Sequence, residues 1–114
     1  MSVIRVALIQ SDLVWQDSQA NHQYLEQQIQ QHKGTQLFVL PEMFNSGFSM
    51  NSTLIAETME GLTVQWMLQQ AKLANAALCG SVAITESGRI FNRLLFVTPD
   101  GVVQFYDKRH LFRM

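Results

Sequence analysis

The sequence LFVLPEMF at residues 37–44 combines a short apolar run with a proline and a carboxylate that follow it directly. Four consecutive apolar residues predict a short buried strand. Pro41 predicts where the strand ends, because proline has no N–H to donate to a neighbouring strand. Glu42 is therefore expected just beyond the carboxyl end of a strand. In layered α/β domains the ligand crevice lies at that edge of the sheet, so the stretch predicts a fold class and a candidate site residue together.

The residues before this stretch predict a β-α-β unit. Residues 3–9 are nearly all apolar, which is typical of a strand buried on both faces. Asp17 and Ser18 can cap a helix that runs to about Lys33, and Gly34 is the kind of residue that ends a helix in the left-handed conformation. Two strands joined by a helix favour a parallel pair with a right-handed crossover.

The residues after it predict a loop, a second helix and three strands. Asn, Ser and Gly dominate residues 43–60, which predicts a long loop, and long loops in compact domains are usually functional or disordered. Apolar residues at helical spacing predict a helix over 63–77. Strands are predicted over 78–85, 90–98 and 102–107, because Glu86-Ser87-Gly88 and Pro99-Asp100-Gly101 are turn signals between them.

Length limits the chain to at most one domain, and the sequence shows no internal boundary. Of its 114 residues, 47% are hydrophobic and 15% are charged, an ordinary composition on the apolar side. A net charge of −1 gives no overall electrostatic reason to bind nucleic acid or anionic lipid. No apolar run approaches the ~18 residues of a membrane-spanning helix.

Other sequence signals favour a cytoplasmic protein without a metal site. The N-terminal sequence MSVIR leads directly into a strand pattern and does not resemble a secretory leader. A single cysteine cannot build a disulfide framework. The three histidines, His22, His32 and His110, lack the spacing of a metal-ligand set.

Two charged residues at predicted strand ends are the candidate site residues. Glu42 has the chemistry of a general base, but a surface carboxylate or a structural ion pair would give the same local pattern. Lys108 follows the last predicted strand and could stabilise a negatively charged oxygen, although a lysine in such a position is usually only solvated. Cys79, the single cysteine, lies inside an apolar strand pattern with no activating partner nearby in sequence, so we expect a buried hydrophobe rather than a nucleophile.

Several motifs, in their order along the chain, resemble the N-terminal part of the nitrilase, or carbon–nitrogen hydrolase, superfamily. The matching elements are VALIQ (6–10), PEMF (41–44) followed by Gly47, GSVA (80–83), Asn92, PDG (99–101) and YDKRHLF (106–112). Their order and composition are specific, whereas no single element would be. Within the superfamily, FNSGFSM (44–50) and HLFRM (110–114) resemble most the bacterial ω-amidases, which hydrolyse 2-oxoglutaramate.

The resemblance implies an α/β fold, namely an α-β-β-α sandwich of the nitrilase type that is incomplete in this chain. It implies that residues 1–114 are the N-terminal part of one hydrolase domain, which forms homodimers when complete. It also implies that the partner is a small-molecule amide and that no cofactor takes part.

The resemblance further implies a Glu-Lys-Cys triad, in which Glu42 and Lys108 are catalytic and the nucleophilic cysteine lies beyond residue 114. The expected activity is hydrolysis of the terminal amide of a small ω-amido keto acid, and residues 1–114 alone are expected to be inactive. A carbamoylase, a nitrilase and a catalytically silent α/β module are the alternatives. Met43, Phe44 and Phe48 could line the substrate pocket, and core packing under the loop is an equally open interpretation of these residues.

Overall fold

The computed structural model describes residues 2–47, 49 and 51–108. Its strands are β1 (Val6–Leu8), β2 (Leu37–Val39), β3 (Ala77–Glu86), β4 (Arg89–Val97) and β5 (Val103–Asp107). Its helices are α1 (Ser18–Gln31), α2 (Ser52–Ile55) and α3 (Leu62–Ala74).

The five strands lie side by side in chain order in a single sheet. β1, β2 and β3 are parallel, whereas β4 and β5 continue the sheet as antiparallel hairpins. The predicted α/β fold is confirmed, including the parallel β-α-β unit. Ser87 and Gly88, with φ of 52° and 76°, form the two-residue turn between β3 and β4. Positive φ at both positions is what the favoured tight hairpin turn requires.

Helices α1 and α3 cover one face of the sheet and build the main core with it. Leu25 of α1 and Met67 of α3 are fully buried, as are Phe38 and Leu78 from the strands beneath them. Burial of each such apolar side chain stabilises the fold by about 1.5–3 kcal/mol relative to leaving it in water. This packing supplies one helical and one sheet layer of the predicted four-layer sandwich.

The opposite face of the sheet is only partly covered by the described residues. Val6 is 47% exposed and Leu8 is 73% exposed. The register places Leu8 beside Val39 and Val39 beside Cys79, and both of these neighbours are half-buried. The prediction of a strand over 3–9 buried on both faces is therefore wrong for this chain. β1 is shorter, lies at the sheet edge and packs against helices on one face only.

The segment predicted as a long loop is more ordered than its composition indicates. It contains the short helix α2, and Glu57 forms a parallel bridge with Ile84 of β3. Asn45 and Ser46 are buried, so the segment packs into the domain instead of lying over it. Phe48 and Met50 lie outside the described residues, as do residues 109–114.

The helix ends also differ from prediction by a few residues. α1 ends at Gln31, and Gly34, with φ of 87°, lies in the turn that follows. α3 ends at Ala74 because Asn75 takes the left-handed conformation, with φ of 49°, and caps it. None of the helices in the described part of the chain is long and apolar enough to span a bilayer.

Candidate active site

Glu42 lies where the chain leaves the sheet after β2. The N–H of Leu40 donates to the carbonyl of Cys79 at 2.7 Å, which extends the parallel pairing by one residue. Pro41 has no N–H to continue it, so the chain turns away at the point that the sequence predicts. The side chain of Glu42 is about half exposed, at 51%.

A tight turn directly after Glu42 is held by Ser81 of β3. Met43 adopts a left-handed conformation with φ of 53°, which costs a non-glycine residue about 1–2 kcal/mol. Its N–H donates to Ser81 Oγ at 3.0 Å, and the next N–H, of Phe44, donates to the Ser81 carbonyl at 3.3 Å. Ser81 is buried, so both bonds are shielded from water. The backbone beside Glu42 is therefore fixed to the centre of the sheet.

Gly80 gives the turn its close approach to β3. A Cβ atom at Gly80 would lie 2.8 Å from Cδ2 of Phe44 and 3.0 Å from Cβ of Leu40. Real Cβ atoms do not approach other heavy atoms this closely, so a larger residue would displace the turn. The GSVA motif thus has a physical reason: its glycine makes room for Phe44, and its serine binds the turn.

Lys108 follows the last residue of β5 and reaches Glu42 across the sheet edge. Its N–H donates to the carbonyl of Asn92 at 3.0 Å, which fixes the backbone against β4. Its Nζ donates to Oε2 of Glu42, and the two form an ion pair although they are 66 positions apart in sequence. The contact expected between these two residues is therefore present. Their catalytic roles stay a prediction.

The structure places Met43 and Phe44 in the core. Both are fully buried: Met43 packs with Ile55 and Ala83, while the Phe44 ring lies 5.9 Å from that of Trp66. These contacts match the core-packing alternative, and a substrate-lining role for the two residues stays a prediction. The same prediction for Phe48 falls outside the described residues.

Glu57 and Asn45 support the site in a way that the sequence analysis missed. One oxygen of the Glu57 carboxylate accepts from the N–H of Thr63 at 2.8 Å, which caps the start of α3. Its other oxygen accepts from Asn45 Nδ2 at 2.9 Å, and the Asn45 carbonyl accepts from Asn21 Nδ2 at 2.9 Å. The turn after Glu42 is thereby hydrogen-bonded to α1 directly and to α3 through Glu57. The only sequence signal is a Glu six residues before a Thr in the first turn of a predicted helix.

Cys79 lies on the half-exposed face of the sheet. It is partly buried, and this burial raises the pKa of its thiol. A raised pKa disfavours the thiolate, which is the nucleophilic form. In residues 2–47, 49 and 51–108, no three His, Cys, Asp or Glu side chains come together in a way that could hold a metal ion.

Comparison with known proteins assigns the chain to a family. Residues 5–114 match the family model described as carbon-nitrogen hydrolase. Omega-amidase YafV of Escherichia coli strain K12 is 45% identical over 115 residues, which are 100% of this chain and 44% of the relative. The chain therefore spans less than half the length of the curated relatives it matches.

Solved structures agree with the sequence matches. XC1258 from Xanthomonas campestris, a CN-hydrolase superfamily protein with an arsenic adduct in its active site, superposes with a TM-score of 0.92 at 43% identity. The match covers 98% of this chain and 43% of that one. Nit3 from Saccharomyces cerevisiae, a member of the nitrilase superfamily, has a TM-score of 0.73 at 28% identity, covering 96% of this chain and 45% of its own.

Proposed function

Because this chain belongs to the carbon-nitrogen hydrolase family, we propose that the complete protein is an amidase acting on a small ω-amido keto acid such as 2-oxoglutaramate. The ion pair between Glu42 and Lys108 carries the proposal, since it joins a base and a cation at the carboxyl end of a parallel strand. The omega-amidase relatives support the choice of substrate class.

The mechanism divides amide hydrolysis between a nucleophile and the two charged groups. A cysteine contributed from beyond residue 114 loses its proton to Glu42, and its sulfur attacks the amide carbon. The carbonyl oxygen becomes negative in the tetrahedral intermediate, and the ammonium of Lys108 stabilises it. Glu42 then gives its proton to the departing ammonia. Water, activated by Glu42, hydrolyses the thioester and regenerates the thiol, so one amide and one water yield one acid and one ammonia.

The test uses the protein encoded by the whole open reading frame. Reading the frame past Met114 is expected to show a cysteine after a further strand pattern. Purified complete protein is then assayed for ammonia release from 2-oxoglutaramate, with an N-carbamoyl amino acid and an aliphatic nitrile as comparison substrates. Preference for either comparison substrate would replace the amidase by a carbamoylase or a nitrilase. A stop codon directly after Met114, or no turnover of any of the three, would support a silent module.

The half-exposed sheet face supports a proposal about the rest of the domain. Val6 and Leu8 expose apolar side chains there that a single-sheet protein would leave in water. In the complete protein a second sheet covers this face to finish the α-β-β-α sandwich, and two such domains form a cytoplasmic homodimer. Light scattering after size-exclusion chromatography is expected to give twice the chain mass. A monomer mass would contradict the homodimer.

Cys79→Ser is expected to retain most of the amidase activity of the complete protein. The thiol lies within β3, and its burial disfavours the thiolate, so its replacement affects packing more than chemistry. The cost is a modest loss of stability, because a hydroxyl enters a partly buried site. Steady-state ammonia release and thermal unfolding measure both. Activity at background in a folded variant would make Cys79 the nucleophile and overturn the proposed triad.

Gly80→Ala is expected to lower both stability and turnover. Overpacking against Phe44 costs about 1–3 kcal/mol of unfolding free energy. Displacement of the turn that carries Glu42 lowers kcat by about tenfold or more, since small misplacements near a catalytic group are costly. Urea unfolding and kcat per folded molecule measure the two effects.

Gly88→Ala is the matched control, because an added Cβ there meets nothing within 4 Å and Gly88 is positioned in the hairpin turn at φ of 76°. It costs stability through backbone strain alone, of order 1–3 kcal/mol, with kcat unchanged. Equal kcat in the two alanine variants would show that the contact between Gly80 and Phe44 does not position Glu42.

A further inference from the structure

Arg93 of β4 is the largest fully buried side chain in the described part of the chain, at 1% exposure. Its guanidinium binds Asp107 through two bonds, from Nε to Oδ1 at 2.6 Å and from the terminal Nη2 to Oδ2 at 3.0 Å. Its other terminal nitrogen donates to Glu86 at 3.1 Å. The guanidinium also lies 4.0 Å from the centre of the Phe105 ring. A cation buried this deeply is tolerated only when it is paired, so the geometry of the pair is tightly constrained.

This pair lies one residue from Lys108. Arg93 and Asp107 are direct partners in the register between β4 and β5. The backbone pairing of β4 with β5 continues one residue further, where the N–H of Lys108 donates to the carbonyl of Asn92. Successive residues of a strand point to opposite faces of the sheet. Anchoring Asp107 on one face therefore directs the following side chain away from that face, and Lys108 forms its ion pair with Glu42.

We propose that Arg93 and Asp107 are positioning residues that aim Lys108 at the oxygen of the reacting amide. The inference rests on the proposed function, because it assumes that Lys108 stabilises the tetrahedral intermediate. A lysine side chain has a flexible four-carbon stem, so the direction of its backbone matters more than it would for a rigid group. The two parallel bonds between guanidinium and carboxylate supply that direction at the end of β5, directly before Lys108.

Glu86 provides a matched control for Asp107. It contacts the same guanidinium, but it lies at the turn end of β3, opposite Arg89 in the strand register, and its side chain is 52% exposed. Glu86→Gln and Asp107→Asn each remove one of the two carboxylates that contact the Arg93 guanidinium. Of the two positions, Asp107 is the one that precedes Lys108. A purely structural role for the Arg93 cluster predicts that the two variants change catalysis alike, in proportion to lost folded protein.

The experiment compares kcat and KM of the complete protein for its amide substrate, per folded molecule. Asp107→Asn is expected to lower kcat about tenfold or more, with KM within about twofold, because the interaction it disturbs is made mainly in the transition state. Arg93→Lys keeps the charge but loses the two-bond geometry, so it is expected to lower kcat similarly. Glu86→Gln is expected to keep kcat within about twofold.

Repeating the measurement in protein that already carries Lys108→Met separates an effect on the position of Lys108 from a general loss of activity. In Lys108→Met protein, Asp107→Asn is expected to cause no further loss of kcat, while its effect on thermal stability persists. Equal losses in both backgrounds, or matching kcat for Asp107→Asn and Glu86→Gln, would overturn the inference. If Asp107→Asn does not fold, Arg93→Lys is measured in both backgrounds and judged by the same criteria. Full activity of Lys108→Met alone would instead contradict the proposed function.

Discussion

Glu42→Gln is expected to lower kcat of the complete protein by at least about 10²-fold, while the protein keeps its fold. The substitution preserves the size and shape of the side chain and removes the group that takes the thiol proton. The N–H groups of Met43 and Phe44 hold the turn beside it by donating to Ser81. The Glu42 side chain takes no part in these bonds, so the variant should retain its structure. Substrate affinity should change little, because proton transfer belongs to the chemical step.

Glu60→Gln is the matched control for this loss. Glu60 is an exposed carboxylate in the segment before α3, so its replacement removes one negative charge from the surface without touching the ion pair. Steady-state kinetics of both variants, with circular dichroism to verify the fold, make the comparison. A folded Glu42→Gln protein with kcat close to that of Glu60→Gln would show that Glu42 is not the base.

Elements with local signals were predictable from the sequence. The end of β2 follows from Pro41, and the turn between β3 and β4 follows from Gly88, because each residue restricts or permits backbone conformations regardless of its surroundings. The contact between Glu42 and Lys108 could be anticipated for a related reason. Both residues follow the carboxyl ends of strands, β2 and β5, which run in the same direction, so both ends lie at one edge of the sheet although β3 and β4 separate them.

Features that depend on register were not predictable. Hydropathy places an arginine at the surface, yet Arg93 is buried because its partner Asp107, 14 residues away, lies directly opposite it on the neighbouring strand β5. The hydrogen bond from the N–H of Met43 to Ser81 likewise depends on the register between β2 and β3, which the sequence does not reveal. The exposure of Leu8 reflects what covers the sheet face, which periodicity within a single strand cannot reveal.

Lys108→Met is expected to lower kcat of the complete protein by roughly 10²–10³-fold, the cost of losing one group that stabilises the oxyanion. Methionine keeps most of the length of the apolar stem, and it removes the ammonium that contacts Glu42. The backbone bond from residue 108 to Asn92 is independent of the side chain and should persist. Lys72→Met, in the exposed last turn of α3, is the matched control and should leave kcat unchanged.

The double variant Glu42→Gln, Lys108→Met tests whether the two groups act on one nucleophile. In a triad, base and oxyanion partner serve the same transition state, so after one is lost the other has little left to stabilise. The double variant is therefore expected to be about as slow as the slower single variant, instead of showing the product of the two losses. Ammonia release measured for all four proteins under saturating substrate decides the matter. Multiplicative losses would mean that Glu42 and Lys108 stabilise the transition state independently, which would contradict a triad whose members act as a unit.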